Sequence, residues 1–391
     1  MNYELTQTLD LINQFKEIVL KTNIISILLL TVSLNVGAQK ISLGSCYTHD
    51  EGLYQGEMVA GKPHGKGSVK FANGDTYEGE YVKGMRQGFG IYQFTDGEKY
   101  EGQWFQDQQH GKGTYYFANN NRYEGLWFRD YQQGQGTMYY YNGDKYEGAW
   151  FEDKRQGRGR YTYANGAFYD GEWVGDMKQG KGVFSWGDGT TYIGQWVANQ
   201  RCGKGEFTYA TGDSYNGMWK NDMQDGRGIY KFQNGDVYEG DYVQGERTGE
   251  GIFKYANGDK YSGHFSNGDK DGYGAFIWRN GDSYIGTWKN DRQNGKGKMT
   301  KKSGDVFDGT FKNGLLDGEV IIRFADGRKF RGMFSQGKRN GKAIEEDKDG
   351  NRFEGSYVND ERNGDFVEKD RNGKITARGS YDMGIRNQDN L

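Results

Sequence analysis

The stretch that decides the fold is Tyr146-Glu147-Gly148-Ala149-Trp150, followed by Gly157-Arg158-Gly159 and by Asn165-Gly166. The same pattern returns 23 residues later, beginning at Tyr169. Recurrence at a fixed period is typical of a repeat protein, in which each period is one structural unit that packs on its neighbours. The chain therefore has to be interpreted repeat by repeat.

We number each repeat from its leading aromatic residue, which is position 1. Fourteen repeats cover residues 54–375 without insertion or deletion, and they begin at Tyr54, Tyr77, Tyr100, Tyr123, Tyr146, Tyr169, Tyr192, Tyr215, Tyr238, Tyr261, Tyr284, Phe307, Phe330 and Phe353. Positions 3 and 12 are glycine in all fourteen, and position 14 is glycine in the first eleven. Position 5 is aromatic in every repeat except the first, which has Met58.

The composition excludes several classes of protein. Gly reaches 65 and Tyr 30 of 391 residues, while apolar residues make up only 34%, which argues against a conventional globular core. The single proline argues against collagen-like chains, and the 16% aromatic content argues against disorder. A net charge of −3 gives no long-range field that would attract nucleic acid.

The spacing within a repeat predicts two short strands. Side chains alternate across a strand, so positions 1, 3 and 5 share one face, as do positions 14, 16 and 18. A polar stretch of about six residues such as 152–157 separates the two strands, and Asn-Gly or Asp-Gly at positions 20 and 21 predicts a hairpin turn. We expect an all-β fold, an elongated single-layer antiparallel meander of about 28 strands and about 130 Å, at about 4.8 Å per strand.

The packing of this fold explains why glycine recurs at fixed positions. A sheet one layer thick can keep its aromatic face dry only if rings lie flat on neighbouring backbone, and a β-carbon at position 3 or 14 would hold them off. Position 5 is tryptophan in six consecutive repeats. We predict that these residues form the core and also contact a partner: Trp104, Trp127, Trp150, Trp173, Trp196 and Trp219.

Tyr-x-Gly-x-Trp followed by Gly-x-Gly at this period resembles the MORN (membrane occupation and recognition nexus) repeat, over residues 54–375. The resemblance implies stacked hairpins in an elongated twisted sheet with a groove. It also implies protein interaction and, in several eukaryotic members, association with membrane lipids. Family members often carry a further catalytic or anchoring domain. The repeats and leader take up this chain, so the resemblance implies no kinase activity here.

The N-terminal segment is predicted to be a helical signal peptide, residues 1–38. Residues 22–37 hold the only long apolar run, and a small-residue site precedes cleavage between Ala38 and Gln39. Residues 1–20 fit the charge pattern of such a segment poorly, which suggests a true start near Leu20. An uncleaved anchor is the alternative. We expect export to the periplasm or cell envelope, or secretion.

Both ends of the array are expected to be capped. Residues 41–48 lie 23 residues before the predicted second strand of the first repeat. They are therefore predicted to be a capping strand within residues 39–53. Residues 376–391 are a degenerate repeat or C-terminal cap, and the last repeats, with Glu345 and Glu368 at position 16, are expected to form a polar cap. Cys46 and Cys202, the latter expected in a loop, are too far apart for a disulfide.

Searches for catalytic or cofactor sites give none. Sequences similar to a phosphate-binding loop lack the required Ser or Thr, and those similar to a calcium loop lack the bidentate Glu. Carboxylate pairs such as Glu78/Glu80 have the spacing of a glycosidase pair but are expected on the solvated face. We predict no metal, no cofactor and no enzymatic activity.

Three binding functions remain. The first is an exported scaffold whose aromatic groove and loops bind a protein partner or a second copy. The second is binding of phospholipid headgroups through cations expected in loops: Lys62, Arg86, Lys154, Arg155, Lys178 and Arg201. The third is stacking of cell-envelope carbohydrate on the exposed rings.

Overall fold

A computed structural model of the chain describes residues 40–387, and all its regular elements there are β-strands. The chain divides into two compact units, the first ending at Tyr141 and the second beginning at Asn142. The first unit contains repeats one to four, and the second contains the remaining ten. No helix in residues 40–387 has the length and apolar character needed to cross a membrane.

The first unit is an antiparallel meander in which each strand pairs with its neighbours in the chain. Its strands are β1 (Ser42–Tyr47), β2 (Leu53–Val59), β3 (Lys62–Lys70), β4 (Thr76–Val82), β5 (Met85–Gln93), β6 (Lys99–Phe105), β7 (Gln108–Tyr116), β8 (Arg122–Phe128) and β9 (Tyr131–Tyr139). Strand β1 pairs with β2 along its full length, one period before the second strand of the first repeat.

The second unit continues the same antiparallel pairing pattern. Its strands are β10 (Lys145–Phe151), β11 (Lys154–Thr162), β12 (Phe168–Val174), β13 (Met177–Ser185), β14 (Thr191–Val197), β15 (Gln200–Thr208), β16 (Ser214–Lys220), β17 (Met223–Lys231), β18 (Val237–Val243), β19 (Glu246–Lys254), β20 (Lys260–Ser266), β21 (Asp269–Ile277), β22 (Ser283–Lys289), β23 (Arg292–Thr300), β24 (Val306–Lys312), β25 (Leu315–Arg323), β26 (Lys329–Ser335), β27 (Lys338–Glu346), β28 (Arg352–Val358), β29 (Glu361–Arg362), β30 (Gly364–Lys369), β31 (Ile375–Asp382) and β32 (Ile385–Arg386).

In the repeat that begins at Tyr146, the predicted hairpin turn at Asn165-Gly166 is confirmed, whereas the loop between the two strands differs from the sequence expectation. Strands β10 and β11 are joined by only two residues, Glu152 and Asp153, both at positive φ (47° and 62°), as a type I′ turn requires. The predicted six-residue loop is therefore wrong, because residues 154–157 already belong to β11. Asn165-Gly166 lies in the longer connection, which a hydrogen bond from Tyr163 N–H to Ala167 O closes at 2.8 Å.

The prediction that aromatic rings lie on bare backbone is confirmed. Position-1 tyrosines such as Tyr169 and Tyr192 are fully buried. The hydroxyl of Tyr169 donates to the carbonyl of Glu172 at 3.0 Å, so the phenol is both packed and satisfied. A β-carbon on Gly182 would lie 2.5 Å from this ring. Within residues 40–387 the core is therefore one face of the sheet, in which rings and glycines alternate.

The last repeats pack differently. Position 1 becomes Phe307, Phe330 and Phe353, and position 14 becomes Val320, Ala343 and Phe366, all three of which are buried. Phenylalanine lacks the hydroxyl that reaches over position 14, so a side chain there can fill the space. These residues form one apolar cluster. The last repeats therefore combine polar side chains such as Glu345 with a buried apolar cluster, and their role as a polar cap stays a prediction.

The repeat register changes after repeat fourteen through one extra residue. Glu368 pairs with Ala377 and Lys369 pairs with Ile375, so the residue between them, Thr376, is a bulge. The bulge places Gly379 opposite Phe366. A final hairpin, β31–β32, follows. The predicted signal segment, residues 1–38, lies outside the described residues.

Candidate binding face

The six tryptophans predicted as partner contacts are core residues. Their side chains are only 3% to 6% exposed. The indole of Trp173 meets the ring of Tyr169 edge-on at 5.1 Å, and its N–H donates to the carbonyl of Gly159 at 3.0 Å. Direct partner contact through these indoles stays a prediction. Their burial shows that the accessible aromatic surface lies on other residues.

That surface is a ladder of rings from positions 16 and 18, which we call the ring ladder. In the second unit twelve consecutive rings contact one another with centroid distances of 4.4–5.9 Å. They are Tyr161, Tyr163, Phe184, Trp186, Phe207, Tyr209, Tyr230, Phe232, Phe253, Tyr255, Phe276 and Trp278. The position-18 rings are half-exposed, and Trp186 reaches 37%.

A row of cations from position 10 lies on the same face. The guanidinium of Arg155 lies 4.4 Å from the ring centroid of Trp173, and that of Arg201 lies 4.5 Å from Trp219. Each also contacts a carboxylate at position 8 of the next repeat. Arg155 Nε is 2.8 Å from Asp176 Oδ1, and Arg201 Nε is 2.9 Å from Asp222 Oδ1. The cation is thus held between a ring and an acid.

Two cations of this row have no such acid. Lys178 faces Asn199, whose side-chain oxygen accepts the backbone N–H of Lys178 at 2.8 Å. Arg247 faces Gly268, which has no side chain. Burial among aromatic rings lowers the pKa of the Lys178 ammonium. At these two places the row has no carboxylate of the described residues within ion-pair distance, although the charge of Asp222 opposes the effect of burial on Lys178.

The six cations predicted in loops are all in strands. The type I′ turn uses two residues, so positions 9 and 10 already pair. Lys62 and Lys154 open β3 and β11 and are exposed, whereas Arg86, Arg155, Lys178 and Arg201 lie on the aromatic face. The loop placement is therefore wrong for all of them, and only the first two present cations freely to solvent.

One cysteine and the distribution of metal-ligating side chains bear on possible chemistry. Cys202 is in β15 opposite Gln195, not in a loop, and burial raises the pKa of its thiol. Among residues 40–387 no three His, Cys, Asp or Glu side chains are close enough together to hold a metal ion. Neither feature provides an activated nucleophile or a metal centre.

A cavity near the C-terminal end measures about 1160 Å³. It lies beyond the end of the ring ladder at Trp278, and Glu345 and Asp347, which stand at positions 16 and 18 of their repeat, line it. Its floor includes Phe330 and its wall includes Arg362, whose guanidinium contacts Glu345 and lies 3.8 Å from the Phe353 centroid. Several charges that line this cavity are paired with one another, as Lys329 is with Glu346 and Arg339 is with Asp360.

Position 18 could have been found from the sequence. Its aromatics follow position 16 by two residues, which places both on the face of positions 1 and 5. Tryptophan at position 5, with its larger ring, is the more conspicuous signal for a partner contact. Their size is instead the reason that they are buried, since a large ring has the most to gain from leaving water.

Comparison with known proteins identified one family profile, described as the MORN repeat. It matches thirteen consecutive segments, which are residues 54–76, 77–99, 100–122, 123–145, 146–168, 169–191, 192–214, 215–237, 238–260, 261–283, 284–306, 307–327 and 330–352. The comparison with curated proteins found no match.

Similar solved structures include the wild-type TCP10 domain of Danio rerio CPAP (15% identity, TM-score 0.30, 51% of this chain and 99% of that one). They also include the SAS-4 (dCPAP) TCP domain of Drosophila melanogaster in complex with a proline-rich motif of Ana2 (16%, 0.26, 40% and 85%). A third is virginiamycin B lyase from Staphylococcus aureus (12%, 0.12, 74% and 94%).

Proposed function

Because the chain belongs to the MORN repeat family, we propose that it is an exported, non-catalytic scaffold that binds a protein partner along its aromatic face. The signal segment would direct it to the cell envelope or out of the cell. A second copy of the chain is one form that the partner takes. The ring ladder of the second unit is the observation that carries this proposal.

The ring ladder has the composition of an interface. Aromatic residues and arginine are enriched where proteins contact each other, because they bury a large area for few rotatable bonds. Here half-exposed rings at position 18 recur every 23 residues, with a cation row on the same face. A partner lying along the ladder would cover apolar ring surface that the single sheet layer leaves in contact with water.

The hydrogen bonding of the face supports a binding role over a catalytic one. The hydroxyls of the buried tyrosines donate to backbone carbonyls, as Tyr192 does to Gln195 O at 3.1 Å. Asp176 and Asp222 accept from arginine and from backbone N–H groups. Groups held in this way stabilise the repeats and are not poised to transfer a proton to a substrate.

Binding to a phospholipid surface is the second candidate, and a different edge of the sheet favours it. Beside the type I′ turns of the second unit, Phe151, Val174, Met177 and Val197 are exposed, and Lys154 adjoins them. Apolar side chains with an adjacent cation can insert at a bilayer interface. Asp153 and Asp176 in the same turns oppose an anionic surface, so we rank this function second. Carbohydrate binding stays a prediction.

Photo-crosslinking would test the scaffold proposal. A benzophenone amino acid is placed at Trp186 or Tyr209 on the ring ladder, or at Ile193 or Tyr273, which are exposed on the opposite face. We expect one discrete crosslinked protein from the two ladder positions and none from the two controls. Equal labelling from all four positions, or vesicle flotation that needs Lys154 and Phe151 but no protein partner, would reject the proposal.

A further inference from the structure

The starting observation is the difference between Lys178 and its counterparts. In other repeats the position-10 cation meets a carboxylate, as in the pairs Arg155–Asp176, Arg201–Asp222 and Lys270–Asp291. The residue opposite Lys178 is Asn199. Within residues 40–387, Nζ of Lys178 has no hydrogen bond or ion pair, and its contacts are with rings.

Those rings form a three-sided cage. Nζ lies 4.5 Å from the centroid of Phe184, 4.8 Å from that of Trp196 and 5.5 Å from that of Tyr169. Ring faces attract a cation, but they do not replace an anionic partner in a partly dehydrated place. A carboxylate brought in from outside would take the position that aspartate fills in the neighbouring repeats.

Arg247 repeats this situation three repeats later. Its guanidinium faces the rings of Tyr238, Phe253 and Phe265 at 5.4–5.8 Å. Gly268 stands where the acid would be, and within residues 40–387 no carboxylate is within ion-pair distance of Arg247. The nearest acid at this place is Glu246, whose Oε2 lies, like Nη2 of Arg247, 3.6 Å from the position that a β-carbon on Gly268 would take. Six strand spacings separate Lys178 from Arg247, or about 29 Å at about 4.8 Å per strand.

We propose that the aromatic face of the second unit binds an acidic, extended segment of a protein partner, with one carboxylate beside Lys178 and another beside Arg247. This inference rests on the proposed function and specifies the chemistry of the partner. An extended segment of about nine residues spans about 29 Å at about 3.3 Å per residue. Its apolar side chains would lie on the position-18 rings between the two anchors.

The placement of the two cations favours a peptide over a membrane. Both side chains are half-buried among rings on the face of the sheet, whereas Lys62 and Lys154 are exposed at strand ends. A narrow chain can enter such a face and reach both cations. A planar layer of headgroups would meet the exposed cations first.

The repeats offer a matched pair of variants. Asn199→Asp supplies the missing carboxylate from within and leaves the fold as it is in the neighbouring repeats. Asp291→Asn removes the carboxylate from Lys270, which also lies over a tryptophan, Trp288, at 5.6 Å. The first change closes the anion site, and the second opens an equivalent one. Lys154→Gln, on an exposed cation, is the control.

The probe is a fluorescent ten-residue glutamate peptide, titrated into the full chain at low ionic strength and followed by anisotropy. We expect Asn199→Asp and Lys178→Gln each to weaken binding about tenfold, the loss of one charge-assisted contact. Asp291→Asn should tighten binding, and Lys154→Gln should leave it unchanged. Equal affinity of Asn199→Asp and wild type, or equal binding of a ten-residue lysine peptide, would overturn the proposal.

Two further measurements separate this proposal from the one on which it rests. If the crosslinks at Trp186 and Tyr209 form equally well in Asn199→Asp, the face binds a partner that is not anchored by acids, and only this inference fails. The second measurement uses phosphatidylglycerol vesicles. If the chain binds these vesicles but not the peptide, and Asn199→Asp weakens vesicle binding, a lipid is the ligand and the inference is again overturned. Loss of the crosslinks in Asn199→Asp supports it.

Discussion

The phenol of Tyr169 lies across Gly182 so closely that a β-carbon on this glycine would stand 2.5 Å from the ring carbon Cε2. Neither group can move easily. The ring is buried and its hydroxyl donates to Glu172 O, and Gly182 is paired with Gly171 and Gly194 in the two flanking strands. This contact makes glycine at position 14 a condition for tyrosine at position 1.

Gly182→Ala should therefore lower the free energy of unfolding by about 1–3 kcal/mol, as overpacking does in a closely packed core. Urea unfolding followed by circular dichroism measures the change. Adding Tyr169→Phe should recover part of the loss, because Phe307 with Val320 shows that a ring without a hydroxyl leaves room for a side chain at position 14. Ala210→Ser, in an exposed turn, is the control. An unchanged urea midpoint for Gly182→Ala would contradict this explanation.

The contact also shows what could be predicted from sequence. A 23-residue period with glycine at fixed positions implies rings on backbone, because only that packing dries one face of a single sheet. The turns could not be predicted in the same way. Asn165-Gly166 has the usual hairpin composition and lies in the longer connection, whereas Glu152-Asp153, an unusual pair for a type I′ turn, forms the two-residue turn.

The charge pattern on the aromatic face could not be predicted from the sequence for a related reason. Lys178 and Asn199 are 21 residues apart and lie in different repeats, so the missing carboxylate appears only when the strand register is known. A loop of six residues would have placed position 10 in solvent. The actual turn of two residues places that side chain over the rings. A cation without an ion-pair partner there would attract a carboxylate from a binding partner.

High pH should unfold the repeats. Burial raises the pKa of Tyr238 and of Tyr284 to about 12, and it also raises the pKa of Tyr169 and Tyr192. A phenol whose pKa is higher in the folded state contributes stability that is complete below the unfolded value of about 10 and is lost as pH rises to the folded value. Stability should therefore decline between pH 10 and about 12.

Phenolate absorbance and far-ultraviolet circular dichroism, recorded on the same samples, would check this. We expect most phenolates to form in the same pH interval in which the β signal is lost, since the buried hydroxyls ionise only when the rings are released. Complete phenolate formation with an intact β signal would contradict the burial of these rings.

Asp222→Asn should lower the free energy of unfolding more than the neutralisation of an exposed charge does. Asp222 Oδ1 accepts both the backbone N–H and the Nε–H of Arg201, each at 2.9 Å, and the arginine is largely buried against Trp219. Weakening these two charge-assisted bonds should lower the free energy of unfolding by about 1 kcal/mol. The value is small because solvent screens the exposed side of the carboxylate. Thermal unfolding gives the value.

Glu319→Gln is the matched control. Glu319 and Arg331 form a 2.7 Å ion pair in which both side chains are more than half exposed. Such a pair contributes at most about 0.5 kcal/mol, and salt screens it. If Glu319→Gln lowered the free energy of unfolding more than Asp222→Asn, the aromatic face would not strengthen the Arg201–Asp222 pair.

The proposed export would leave a chemical mark at a predicted position. Cleavage after Ala38 gives a chain that begins at Gln39, three residues before β1. N-terminal sequencing of the protein recovered outside the cytoplasm should find this end. Ala38→Leu should slow its appearance, since the cleavage site requires small residues. A recovered chain that retains residues 22–37 would favour the anchor instead.

The last prediction compares two tryptophans that the structure places differently. Trp173 is buried between Tyr146 and Tyr169 and donates its N–H to Gly159 O, so Trp173→Leu should cost about 3 kcal/mol or more of unfolding free energy. Trp186 lies on the ring ladder with one face in water, so Trp186→Leu should cost less than about 1 kcal/mol. Urea unfolding of both variants measures the difference.

The same two variants should rank in reverse order for binding when partner capture is measured under conditions where both remain folded. Trp186→Leu removes accessible ring surface and should weaken capture, whereas folded Trp173→Leu keeps the ring ladder and should retain most of it. If Trp173→Leu abolished capture while its circular dichroism stayed native, a buried indole would be a direct partner contact, as the sequence suggested. The ladder would then not be the primary binding surface.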